Sequence, residues 1–175
     1  SIPLHAFGKT FEYVEDVKGL THNVNEGGKT VTTTMLKEAI FTEKKSDYLQ
    51  LLKFTLPNIR EGSIIDVEYR LISPDIMNFR TWNFQSHLPK KKSEYVALFP
   101  ATYQYQVTLR GPQKLSDSKS EMVSGCFLSY GVRQNCSKMT YTMEDIPAFK
   151  QESNMLAKQN YLSAIYFELG TYYYR

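Results

Sequence analysis

An all-β, mainly antiparallel β-sandwich is the fold this sequence predicts, on three observations. Apolar residues recur at every second position, the period of a strand with one face on a core. Each such run is short and ends on Gly, Pro, Asn or Ser, as antiparallel strands do. Aromatic residues make up 14% of the chain, with thirteen tyrosines and ten phenylalanines against one tryptophan. Tyrosine suits half-buried strands, because its ring packs on the core while its hydroxyl meets water.

Taken in order, the first clear device is Asn25-Glu26-Gly27-Gly28, which separates Val17–Thr21 from Lys29–Thr34 and predicts a hairpin with positive φ at glycine. Residues 36–41 could form a short helical turn, as could 152–159, but neither carries a convincing pair of caps. Leu56-Pro57-Asn58-Ile59-Arg60-Glu61-Gly62 then reads as a tight corner between two strands. In the second of these strands Ile65, Val67, Tyr69 and Leu71 share one face, and Asp66, Glu68 and Arg70 the other.

Further along, Tyr103, Tyr105, Val107 and Leu109 alternate with Gln104, Gln106, Thr108 and Arg110 before Gly111-Pro112 ends the run. Met139, Tyr141 and Met143 oppose Thr140, Thr142 and Glu144, and Ile165, Phe167 and Leu169 oppose Tyr166 and Glu168. The spacing of turns suggests about ten to twelve strands in two sheets. The expected core comprises Phe54, Ile65, Val67, Tyr69, Trp82, Tyr105, Val107, Tyr141 and Phe167.

Composition bounds the function. With 42% hydrophobic and 22% charged residues over 175 positions, the chain can bury a core and is not of disordered type. A net charge of +3 is too small to imply nucleic acid. No apolar run approaches the ~18–20 residues of a membrane helix, so no membrane insertion is expected. The one basic cluster, Lys90-Lys91-Lys92, reads as a solvated turn guarding a strand edge, with a contact patch as the other reading.

Chemistry-bearing patterns are few. His5, His22 and His87 lie far apart, without another His or Cys at metal-ligand spacing, so no metal or other cofactor is expected. There is no Gly-rich phosphate loop, no Gly-x-Ser-x-Gly and no His-Glu-x-x-His, and no catalytic residue is assigned. Cys126 and Cys136 flank a segment with Tyr130-Gly131 near its middle, so a hairpin would bring them opposite one another as a disulfide. Two reduced, buried thiols are the competing reading, and one residue of register slip would turn one thiol to the other face. Trp82 and the row Tyr172-Tyr173-Tyr174 are the candidate binding aromatics, although alternation with Phe84 favours Trp82 as a core anchor.

Three ordered blocks carry a resemblance. The first is Thr55 through Tyr69. The second is Trp82-Asn83-Phe84-Gln85 with Leu88-Pro89, Ser93-Glu94-Tyr95 and Phe99-Pro100. The third is Asp145 through Glu152 followed by Asn160-Tyr161 and Phe167-Glu168-Leu169. Together they resemble an uncharacterised β-domain family whose members precede a transglutaminase-like, cysteine-protease-fold core in secreted or periplasmic bacterial proteins.

The resemblance runs from about Val17 to Leu169, and the family's usual opening strands look shortened before it. It implies a single sandwich domain over residues 1–175 that is a fragment of a longer protein and has no catalytic role. It also implies a periplasmic or cell-surface location. The implied partner is a downstream catalytic-like domain of the same polypeptide, to which this domain would position or present substrate. An independent glycan- or peptide-binding module at the cell envelope is the alternative.

Overall fold

The computed structural model describes every residue except 78, 130, 152–154, 156, 158, 159, 174 and 175. Among the described residues the fold is all-β: thirteen strands, every pairing antiparallel, and one 3₁₀ turn at Lys37–Ala39. That turn falls inside the 36–41 segment expected to be helical, and Leu36 gives it no side-chain cap. The second expected turn, 152–159, lies largely outside the described residues. The chain groups into two compact units, Ser1–Asp75 and Ile76–Arg175, where the sequence suggests one continuous sandwich.

The first unit holds two sheets. One has the order β2-β1-β6-β5 and is built from Thr10–Phe11, Ile2–Phe7, Leu49–Phe54 and Ile40–Lys44. The other has the order β4-β3-β7, from Thr30–Thr34, Tyr13–Val24 and Ile64–Ile72. The β3–β4 hairpin closes as its sequence predicts. Gly28 has φ +75°, and its amide donates to the Asn25 carbonyl at 3.0 Å.

The Leu56–Gly62 corner has a larger task than joining neighbouring strands, because β6 and β7 belong to different sheets. Its polar residues lash it to the β3–β4 hairpin. Asn23 Nδ2 donates to the Asn58 carbonyl (2.9 Å), and Asn58 Nδ2 donates to Thr33 Oγ1 (3.3 Å). Ser63 Oγ and Arg60 Nε both donate to Asn23 Oδ1, at 2.6 and 3.3 Å, while Arg60 Nη2 reaches the Val24 carbonyl. Arg60→Ala removes two donors at an exposed site, and a loss of about 1 kcal/mol in urea unfolding is expected. A loss below the error of the measurement would show that water replaces the arginine at no cost.

In the second unit the sheets are β10-β13-β8 (Tyr103–Arg110, Ala164–Tyr172, Trp82–Asn83) and β11-β12-β9 (Asp117–Ser129, Val132–Ile146, Lys90–Pro100). Their facing side chains share one core. Phe84, Ala97, Phe99, Met143, Ile146, Ile165 and Phe167 are buried together, ringed by half-buried aromatics that include Phe79, Tyr95, Tyr105 and Tyr141. This unit is a two-sheet sandwich.

The expected core is only partly placed in the interior. Phe167 is buried, and Phe54, Val67, Tyr69, Trp82, Tyr105, Val107 and Tyr141 are half-buried. Ile65 is a correction, at 44% exposed. It lies at the start of β7, an edge strand with a ladder partner, β3, on one side, so it has fewer same-face neighbours to cover its side chain than a residue in the middle of a sheet. The lysine cluster also differs from a turn: Lys90, Lys91 and Lys92 open strand β9, which lies at the edge of its sheet. Lysines on such an edge oppose pairing with another chain. Lys91 pairs with Asp145 and Lys92 with Glu94, while burial pushes the Lys90 ammonium below the usual lysine range.

Candidate functional site

Trp82 is held by three neighbours. Its ring stacks on Tyr95 at 5.5 Å and 11°, its Nε1 donates to Ser93 Oγ (3.1 Å), and the Lys90 ammonium lies 6.0 Å from the ring centre. It packs against the core cluster of the second unit, so one of its faces is already occupied. Tyr95 is fixed in turn by donating its hydroxyl to the Arg80 carbonyl at 3.1 Å.

At the other end of the unit, Tyr172 closes β13 opposite Tyr103. Tyr173 is 57% exposed and donates its amide to the Thr102 carbonyl at 3.0 Å. Tyr174 lies outside the described residues. Trp82 pairs with Ile165 and Tyr172 with Tyr103, so these two backbone positions lie near opposite ends of β13.

His5 is on β1, His22 is on β3 with Nδ1 at 2.9 Å from Thr32 Oγ1, and His87 follows the β8 strand. Among the described residues no group of three or more His, Cys, Asp or Glu side chains could hold a metal ion.

An open cleft of about 370 Å³ lies in the second unit, lined by residues that include Gln85, Pro112, Phe149, Met155 and Tyr161. The Gln85 side chain is buried and donates through Nε2 to the Pro147 carbonyl at 3.2 Å. Its Oε1 is out of reach of solvent and has no hydrogen-bond partner among the described residues. Gln85 therefore lines the cleft without offering that oxygen to a ligand.

Cys126 and Cys136 are joined as a disulfide, with Cα atoms 6.0 Å apart, inside the 4.4–6.8 Å range such bonds span. The bond does not come from simple opposition. Ser129–Val132, Leu128–Arg133 and Phe127–Gln134 pair at the tip of the β11–β12 hairpin, and this register alone would set Cys126 opposite Asn135. Nearer the base, Val123 pairs with Cys136, so Ser124, Gly125 and Cys126 together face Asn135 in a bulge. Gly125 supplies the bend with φ +60°. The Gly125 backbone groups are satisfied by side chains, its amide donating to Asn135 Oδ1 (3.2 Å) and Arg133 Nη1 donating to its carbonyl (3.0 Å). The slip that symmetric spacing conceals is corrected by two extra residues on β11.

Strand β9 runs out at Pro100 opposite Cys136, so the hairpin beyond this bond has two strands where the sheet has three. Its residues Phe127, Leu128 and Val132 are 44%, 67% and 62% exposed. The sequence reading passed over this apolar arm. Its only signal was the run Cys126-Phe127-Leu128 beside a turn, and such a run looks the same whether it is buried or exposed.

No family model matches the chain, and none of the curated proteins matches it. A solved structure described as a "putative protease" from Parabacteroides distasonis ATCC 8503 is similar over 89% of this chain, with a TM-score of 0.54 and 14% identity. The match covers 32% of that protein's chain, so this sequence spans about a third of its length. At such identity the likeness is one of fold.

Proposed function

We propose that this is a noncatalytic accessory domain that positions or presents substrate to a downstream transglutaminase-like module in the same polypeptide, outside the cytoplasm. The observation that carries the reading is what its three motif blocks do. The first lashes a corner that crosses between sheets. The second places Phe84 in the core and Trp82 against it, and the third brings Ile146 and Phe167 into the same core. Residues so committed to scaffolding support a structural role better than a chemical one.

Both cysteines are bonded to each other, which leaves neither as a thiolate nucleophile. A structural disulfide also suits an oxidising compartment.

The test uses the full-length gene product. If a Cys, His and Asp module follows residue 175, removing residues 1–175 should leave turnover of a small amide substrate within a few-fold. The same removal should raise KM for a protein substrate by tenfold or more. A reading frame that stops just after residue 175, or a truncated enzyme indistinguishable on both substrates, overturns the proposal. Location is checked by alkylating intact cells before lysis: labelled Cys126 and Cys136 would place the protein in a reducing compartment and count against an extracytoplasmic site.

A further inference from the structure

The hairpin arm of the second unit is built so that its register depends on the oxidation state of one bond. At its base Val123 pairs with Cys136 and Met122 with Ser137, while at its tip Phe127 pairs with Gln134. Continuing the base register without the bulge would instead pair Cys126 with Arg133, Phe127 with Val132 and Leu128 with Gly131. A slide of two residues keeps Phe127 and Leu128 on their own faces relative to β12, so parity does not forbid it, while Cys126, released from the bulge, turns to the face opposite Cys136. In that arrangement Cys126 and Cys136 stand three positions apart along the ladder, roughly 10 Å, which is beyond the reach of a disulfide. The two registers are mutually exclusive, and the covalent bond permits only the bulged one.

The forces on either side of the choice are identifiable. The bulged form rests on Gly125 at φ +60°, Gly131 at φ +78° and the two side-chain hydrogen bonds from Asn135 and Arg133. The regular form would restore ladder pairing to the bulged residues and set Phe127 directly across from Val132. These two are now 44% and 62% exposed, and an aromatic facing a β-branched residue is a favourable cross-strand pair.

We infer that the Cys126–Cys136 bond is a redox-controlled register lock, and that reducing it lets the arm slide into the regular register and re-presents its apolar residues. Attack is directed by exposure, since Cys126 is exposed and Cys136 only 3% so. A thiolate of a small dithiol attacks Cys126 Sγ. The bond between the two protein sulfurs breaks, and its electron pair leaves on Cys136 Sγ, which takes a proton from water. The dithiol's second thiol, as thiolate, attacks its own sulfur in the mixed disulfide and releases Cys126 as a thiolate, also protonated from water. The dithiol ends as a disulfide, and the protein has gained two electrons and two protons.

The experiment compares oxidised protein, protein reduced with dithiothreitol, and the Cys126→Ser/Cys136→Ser variant by nuclear Overhauser contacts across the arm. The Phe127–Gln134 contacts of the oxidised form should give way to Phe127–Val132 contacts in both other samples. Retention of Phe127–Gln134 pairing, or loss of all cross-strand contacts, overturns the inference. Glutathione exposure followed by mass mapping should find the adduct on Cys126, and an adduct on Cys136 alone would overturn the order of attack.

Gly125→Ala leaves both thiols in place and tests the bulge separately. A side chain at a left-handed φ should raise the equilibrium constant for reduction by dithiothreitol roughly tenfold. An unchanged constant would mean the bond and the bulge are not coupled.

Discussion

Replacing Gly111 with alanine is expected to destabilise the second unit by about 2–5 kcal/mol, the sum of a left-handed backbone penalty and an overpacking penalty. Gly111 ends strand β10 at φ +94°, a conformation that side chains rarely adopt. A Cβ there would lie 2.5 Å from Ser163 Cα and 2.7 Å from both Ser163 N and the Leu162 carbonyl oxygen. All three are backbone atoms, and they cannot rotate aside. Ser163 is fixed from two directions, because its carbonyl accepts from the Phe84 amide (2.9 Å) and its Oγ accepts from the Gln113 amide (3.1 Å). Gly62→Ala is the internal comparison. Gly62 has φ +82° with no atom within 4 Å of the added carbon, so only the backbone penalty of roughly 1–2 kcal/mol applies. Urea unfolding of both variants decides the matter: equal losses would show that contact with the Ser163 backbone contributes nothing.

Phe167→Ala should cost about 3–5 kcal/mol, as aromatic truncations in closed cores do. Phe167 is 5% exposed and sits among four rings, with centroids at 5.1 Å (Phe79), 5.8 Å (Tyr95), 6.0 Å (Tyr141) and 6.3 Å (Tyr105). Those rings come from both sheets and from the segment preceding β8, so collapse of one neighbour into the vacated space disturbs the others. Near-UV circular dichroism should lose intensity along with the urea midpoint, since the coupled tyrosines lose their fixed surroundings. Phe167→Leu keeps most of the volume and should lose less than about 1.5 kcal/mol. Equal losses in the two variants would show that ring geometry, and not the filled volume, is what the site requires.

The disulfide gives a third stability test. Its two cysteines are ten positions apart, and closing a loop of that length removes unfolded-state entropy worth roughly 2.5–3 kcal/mol. The urea midpoint of the Cys126→Ser/Cys136→Ser variant should fall accordingly. An unchanged midpoint would show that closing this loop contributes nothing to stability.

Much of the local structure was legible along the chain. The strands containing Ile65–Leu71, Tyr103–Leu109, Met139–Met143 and Ile165–Leu169 appear where alternation placed them, and the Asn25–Gly28 turn closes its hairpin. The pairing of Cys126 with Cys136 was legible from spacing as well, but not its route. A hairpin symmetric about Tyr130-Gly131 predicts direct opposition, whereas the bond forms across a bulge that Gly125, Asn135 and Arg133 hold together. Hydrogen bonds between a bulge and side chains several residues away leave no periodic trace in the sequence.

The sequence by itself determined that this protein is all-β, where most of its strands lie, and which residues can turn the chain. These are properties of neighbouring residues, because side-chain alternation and the φ preferences of Gly, Pro and Asn act over a few positions. Only the tertiary structure decided which strands meet. β13 lies between β10 and the two-residue β8, with paired residues 54 to 83 positions apart in the chain, and β6 and β7 part into different sheets at a corner that looked like a simple connection. It also decided depth: Ile65 and Phe167 carry the same alternating signal, yet one is 44% exposed on an edge strand and the other is 5% exposed inside the sandwich. Period two says that a residue has a face, but what covers that face depends on segments distant in the chain.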